Sequence, residues 1–203
     1  MIFGITFGLL ITGCGGLRQS PKPMLTYALN YPPLNLTVEK RLPVVIKVDR
    51  FASTPGYGSS NMIYAPNLFE RNAYTYRRWF ATPSEMVAAA LLQDLRSVGA
   101  FYAVILPGDR LQSTHILAGG ITDFFEKEEI LSKKAVLGVS ILFFTEARPG
   151  TSQKIILQKQ YHVETDFRQS NAEGFAEAMN RAVQAVSKQV ILDLYQSIAT
   201  QEE

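Results

Sequence analysis

The sequence is poor in the residues from which most active sites are built. It holds one cysteine, Cys14, in 203 residues, so neither an intrachain disulfide nor a four-cysteine metal site can form. The only histidines are His115 and His162. No Cys/His cluster surrounds either, so no metal site is expected. Neither histidine has a nucleophile or an orienting carboxylate at a predictable spacing, so no catalytic residues are expected either. The chain carries no G-x-S-x-G, G-x-x-x-x-G-K or G-x-G-x-x-G motif. Charge of one sign is also lacking, with 20 basic residues against 18 acidic. That balance gives none of the electrostatic footprint on which nucleic-acid binding depends. No apolar run reaches the roughly 20 residues of a spanning helix, which excludes a polytopic membrane protein.

What is present is apolar content: 47% of residues are hydrophobic and 19% charged. This suits one globular domain with a sizeable core and is far from the composition of a disordered chain. The first segment, Met1 to Thr12, is almost wholly apolar and uncharged apart from its amino terminus. It fits the hydrophobic region of an export signal. Ile11-Thr12-Gly13-Cys14 follows the pattern of a bacterial lipoprotein signal, in which the cysteine thiol accepts a diacylglycerol before cleavage in front of it. Residues 1–13 are therefore read as a signal peptide and Cys14 as the lipidation site. The acyl chains supply membrane affinity at about 0.8 kcal/mol per buried methylene, so the domain itself can stay soluble. Gly15 is not the aspartate that usually retains lipoproteins at an inner membrane, which favours the outer membrane and its periplasmic face. Residues 14–24, with Pro21 and Pro23 in a polar setting, read as a tether, and residues 25–203 as the domain.

Within the domain, Thr26–Leu29 is extended and Pro43–Asp49 is a β-branched strand. A connection from Phe51 to Ala81, rich in Gly, Asn and Tyr, has short strands at Asn61–Ala65 and Ala73–Tyr76. Thr82-Pro83-Ser84-Glu85 announces a helix, with Thr82 as N-cap, Pro83 in the first turn and Glu85 closing a capping box. Val87, Leu91, Leu95 and Val98 recur at helical spacing, and Gly99 ends the helix. Phe101–Leu106 is a strand, turned by Pro107-Gly108-Asp109. Three longer strands follow at His115–Phe125, Ala135–Thr145 and Ile155–Phe167. In the last, Ile155, Leu157, Tyr161, Val163 and Phe167 share one face, and only Lys159 breaks the alternation. Ser170-Asn171-Ala172-Glu173 reads as a second capping box. The helix behind it places Phe175, Met179, Ala182, Val186, Val190 and Leu194 inward, to about Ile198. The order predicts one α/β domain with a mixed sheet of about five strands and helices packed on it. Asp123, Glu126, Glu128 and Glu129, with Lys127, Lys133 and Lys134, read as a solvated hairpin tip.

The most informative stretch lies between Pro55 and Trp79. Tyr57, Tyr64, Phe69, Tyr74, Tyr76 and Trp79 are interleaved there with Arg71, Arg77 and Arg78. Aromatic rings with arginines suit binding surfaces, and Tyr57, Tyr64, Tyr74, Tyr76, Arg78 and Trp79 are the candidate partner- or lipid-binding residues. A second reading stays open, in which the rings pack as satellite core over a sheet edge.

Pro55-Gly56-Tyr57, Met62-Ile63-Tyr64, Tyr74 through Arg78-Trp79, then Pro83, Met86, Leu91 and Leu95 resemble the ABC-type transport auxiliary lipoproteins. The pattern at Cys14 and the extended Tyr27-Ala28-Leu29 agree with that family. The resemblance spans nearly all of the mature chain. It implies a non-enzymatic accessory subunit, with no cofactor beyond the covalent acyl anchor. Its implied partners are an ABC transporter's permease and ATPase and an MCE-domain protein that conducts lipid, met at the outer-membrane end. It also implies a three-layer α/β fold similar to the amino-terminal domain of the Tol-system propeller protein. Ring-shaped MCE conduits raise a matching homo-oligomer. Two other functions stay open: a periplasmic lipid-binding carrier with an apolar pocket between sheet and helix, and a structural envelope-assembly lipoprotein.

Overall fold

A computed structural model describes residues 22–147 and 149–200. The expected signal peptide, Cys14 and all but the last residues of the expected tether lie outside them. The elements in chain order are β1 (Leu25–Tyr27), β2 (Leu42–Val48), β3 (Ala52–Ser53), β4 (Asn61–Ala65), β5 (Asn72–Trp79), α1 (Pro83–Val98), β6 (Phe101–Ile105), β7 (His115–Glu128), β8 (Lys133–Thr145), β9 (Ile155–Phe167) and α2 (Ala172–Ala199).

All nine strands form one mixed sheet, against the five or so expected. The long β7–β8–β9 meander is antiparallel throughout. On its other side β7 pairs in parallel with three short strands laid end to end: β2 beside its start, β3 beside its middle and β4 beside its end. β6 extends the sheet beyond β2 in parallel, while β5 and then β1 extend it beyond β4. The sheet is thus five strands wide at the β2 end and six at the β4 end, because β3 and β4 share the row of β2 while β1 adds a row beyond β5.

Both helices pack on one face of this sheet, in a single core that includes Leu91 and Leu95 of α1, Leu137 and Val139 of β8, and Phe175, Met179, Val186 and Leu194 of α2. An extended strap, residues 28–41, crosses α1 and α2. The Tyr31 hydroxyl and the Leu34 N–H donate to Asp94 of α1, at 2.8 and 3.3 Å. Asn30 N–H donates to Asn180 of α2, and Gln184 donates to the Pro32 carbonyl. Asp94 is only 1% exposed, and these donors are what allow a carboxylate to sit there. Desolvation of the Tyr31 phenol, then its hydrogen bond to the Asp94 carboxylate and that group's charge, push it above its ordinary pKa range.

The cap of α1 is the expected box: Thr82 accepts from Glu85 N–H, Glu85 accepts from Thr82 N–H, and Gly99 closes the helix at φ 66°. For α2 the expectation shifts by one residue. Asn171, not Ser170, is the N-cap, its Oδ1 accepting from Gly174 N–H at 2.9 Å. Lys159 breaks the β9 alternation because it faces α2, where its ammonium lies 2.6 Å from Asp193, beside the Tyr161 hydroxyl at 2.7 Å.

Candidate interaction surface

The aromatic and arginine residues lie mainly on β4, β5 and the loops at their ends, and folding divides them into two populations. Asn61 of β4 pairs with Arg78, while Ile63 pairs with Ala73. Two residues on one strand thus oppose five on the other, and a bulge of that kind destroys simple alternation. Beyond it Trp79 turns inward. It is 1% exposed and meets Phe124 and Phe175 edge-on, with ring centroids 5.2 and 5.4 Å away. Trp79 is therefore core and not part of a binding surface, a correction to the sequence reading. Its neighbour Phe80, which that reading passed over, is 77% exposed instead.

Three of the tyrosines are half-buried. Tyr57 stacks on Phe125 at 6.3 Å, and the Arg71 guanidinium covers the same ring at 4.2 Å. With Ala65 and Val136 these form a small second cluster, the satellite core that was the alternative reading. Burial pushes the Tyr57 phenol up, against the opposing pull of Arg71. Tyr64 and Tyr74 pair across β4 and β5 at 5.1 Å. The Tyr74 hydroxyl donates to Glu126 at 2.7 Å, and Lys133 reaches the other carboxylate oxygen at 2.6 Å. Burial, then the Glu126 carboxylate, drive the Tyr74 phenol well above its ordinary range.

The acidic cluster is likewise not a solvated tip. β7 runs on to Glu128 and β8 starts at Lys133, so the charges belong to paired strands and the tip is residues 129–132. Glu126 is fully buried. Lys133 bridges it to Glu128, while Lys127 and Lys134 each join Glu129 to Glu164. Burial pulls the Lys133 ammonium down, but its two glutamate partners outweigh that and hold it raised.

What remains at the surface of the predicted set is Tyr76, 42% exposed beneath the Lys22 ammonium at 5.7 Å, and exposed Arg78. Phe80 adds to them and borders a hollow of about 370 Å³ between α1 and the strap. The structure brings Tyr64 and Tyr74 together, buries Trp79 in the main core with Tyr57 packed between that core and the small second cluster, and leaves Tyr76 and Arg78 as the outward pair. His115 stacks on Phe143 at 5.1 Å and its Nδ1 meets Thr114 Oγ1 at 2.8 Å. His162 is an exposed side chain 3.9 Å from Glu164. Among the described residues no group of three His, Cys, Asp or Glu side chains could hold a metal ion, and no helix is long and apolar enough to cross a membrane. Where sheet and helices meet, the cavity lined by Val87, Leu91, Val139, Val183, Val186, Ser187 and Val190 measures about 10 Å³, scarcely room for one water.

No known family model matches the sequence, and no curated protein matches it. The fold is similar to the crystal structure of a Xanthomonas campestris protein of the DUF330 family, with a TM-score of 0.76 at 13% identity over 87% of this chain and 99% of that one. It is also similar to a hypothetical protein from Chlamydia trachomatis, with a TM-score of 0.55 at 8% identity over 78% and 99% of the two chains. At such identities the likeness is one of fold alone.

Proposed function

We propose that this chain is a non-enzymatic, lipid-anchored auxiliary subunit of an ABC/MCE-type intermembrane lipid transport system, held by Cys14 at the periplasmic face of the outer membrane. The observation that carries the reading is the fold shared along 99% of the DUF330 protein's length, which is consistent with the auxiliary-lipoprotein resemblance of the residues around Tyr57, Tyr64 and Tyr76. In this reading the domain binds a partner instead of performing chemistry. Its contact surface is the outward part of β5 and the turn after it, Tyr76, Arg78 and Phe80. Large rings and an arginine displayed on a rigid sheet can supply binding energy with little loss of side-chain freedom.

The lipid-carrier alternative needs an apolar cavity of several hundred Å³. The space enclosed near Leu91 and Val139 is about 10 Å³, while the roomier hollows, about 370 Å³ beside Phe80 and about 610 Å³ where Val48 and Phe51 meet α1, are open at the surface. Co-purification with an MCE-domain protein tests the docking role. Tyr76→Ala combined with Phe80→Ser is expected to reduce MCE recovery several-fold while leaving the melting temperature unchanged. Normal recovery with that pair, and loss with changes elsewhere on the surface, would move the contact to another face.

A further inference from the structure

Four bulky apolar side chains stand out as the most exposed of their kind: Leu68 at 78%, Phe69 at 92%, Ile130 at 100% and Leu131 at 97%. They occupy two hairpin tips, β4–β5 and β7–β8. The register joins those tips in space. β4 runs parallel to β7 with Tyr64 opposite Glu126 and Ala65 opposite Lys127, so both hairpins turn at the same end of the sheet, in adjacent rows. The tips have defined shapes. Asn67 Oδ1 accepts from the N–H groups of Phe69 and Glu70, both at 3.0 Å. Glu129 N–H donates to the Ser132 carbonyl at 2.9 Å. Tight turns ordinarily carry Gly, Asn, Asp or Ser, and side-by-side pairs of exposed aliphatic and aromatic residues mark a contact with something apolar.

The path of the chain says what that is. β1 runs parallel to β5, Leu25 beside Arg77 and Tyr27 beside Trp79, so it leads away from the tips, and the chain before it comes from their direction. Lys22, the first described residue, already lies over Tyr76. Cys14 is eight residues upstream, a reach of at most about 29 Å when fully extended. If Cys14 carries the lipid, this end of the sheet cannot stand far from the bilayer. We infer that the two tips are the membrane-facing end of the domain, with Leu68, Phe69, Ile130 and Leu131 seated in the lipid interface beside the anchor. The inference rests on the lipid-anchor reading. The lysines nearest the β7–β8 tip are matched by glutamates, so contact is driven by apolar area and does not require anionic lipid.

The chain's own cysteine makes the test clean, because lipidation blocks the Cys14 thiol and leaves an introduced one free. Full-length protein bearing Phe69→Cys, Leu131→Cys or, as control at the opposite end of the sheet, Ser152→Cys is labelled with an environment-sensitive fluorophore. It is reconstituted in phosphatidylcholine vesicles containing nitroxide lipid, and mass spectrometry reads the state of Cys14 separately. The expected result is blue-shifted emission and several-fold stronger quenching at 69 and 131 than at 152. Water-like signals at 69 and 131 on a lipidated chain overturn the inference. So does shielding that appears only in native membranes, which would assign the tips to a protein partner. An unmodified Cys14 defeats the anchor reading alone. The labels are then read in a Cys14→Ala background on chain added to vesicles, where blue-shifted signals at 69 and 131 sustain the tip contact and water-like ones overturn it.

Discussion

Trp79 and Phe80 are adjacent, both aromatic, and opposite in fate, and nothing in their identities says which turns inward. The deciding feature is the bulge opposite Asn61 and Ile63, a tertiary pairing that hydrophobic periodicity cannot see. The consequence is measurable by urea unfolding. Trp79→Ala should cost about 3–5 kcal/mol, as large core aromatics do on truncation, whereas Tyr76→Ala should stay within about 0.5 kcal/mol. Lys159 is similarly unreadable alone, because its reason is Asp193 on a helix 34 residues away. Burial raises the Asp193 carboxyl pKa, but hydrogen bonds from Lys159, Tyr161 and Gln189 outweigh it and leave it below the ordinary value of 3.8. A carboxyl with a depressed folded pKa contributes stability that is complete above its unfolded pKa and is lost as pH falls through the folded one. Asp193→Asn should therefore lower the melting temperature at pH 6, and the gap to the parent should narrow as pH drops below about 3.8. A gap that persists unchanged into acid would mean the ion pair contributes nothing.

Helices were legible because their signals are local. The box at Thr82 and Glu85, the stripe from Val87 to Leu95 and the stop at Gly99 all lie within one stretch, and the inward face of α2 followed from spacing alone. The N-cap of α2 was misplaced by one residue because Ser170 and Asn171 are both good caps. Asn171→Ala should cost about 1 kcal/mol in thermal or urea unfolding, and Ser170→Ala should be near neutral; the reverse order would restore Ser170. Among the short strands, β1 and β4 were legible as the extended Thr26–Leu29 and as Asn61–Ala65, whereas β3, two residues whose partner lies on a distant segment, carries no period to detect. The Gly119-Gly120 pair lies within β7, and Gly119 packs closely against Phe51. A Cβ on Gly119 would sit 2.5 Å from the Phe51 ring, so Gly119→Ala should destabilise the sheet by about 1–3 kcal/mol.

At the scale of the molecule, the expected mixed α/β sheet with packed helices is present. What the sequence reading did not place is the strap across the helices, which is held by Asp94 and Asn180, polar helix positions that bind its backbone. The same architecture gives the domain two unlike ends. One carries the apolar tips; the other carries the starts of β2, β6 and β7. On the proposed reading, a subunit anchored at Cys14 would present its flank, with Tyr76, Arg78 and Phe80, to a periplasmic partner. The most direct test is capture of full-length protein from native membranes, with Cys14→Ala alongside. The account predicts that the lipidated chain is recovered from the outer membrane together with an MCE-domain protein, and that Cys14→Ala loses the membrane fraction. Recovery of the lipidated chain with no transporter component would contradict it, leaving a shared fold without the shared role.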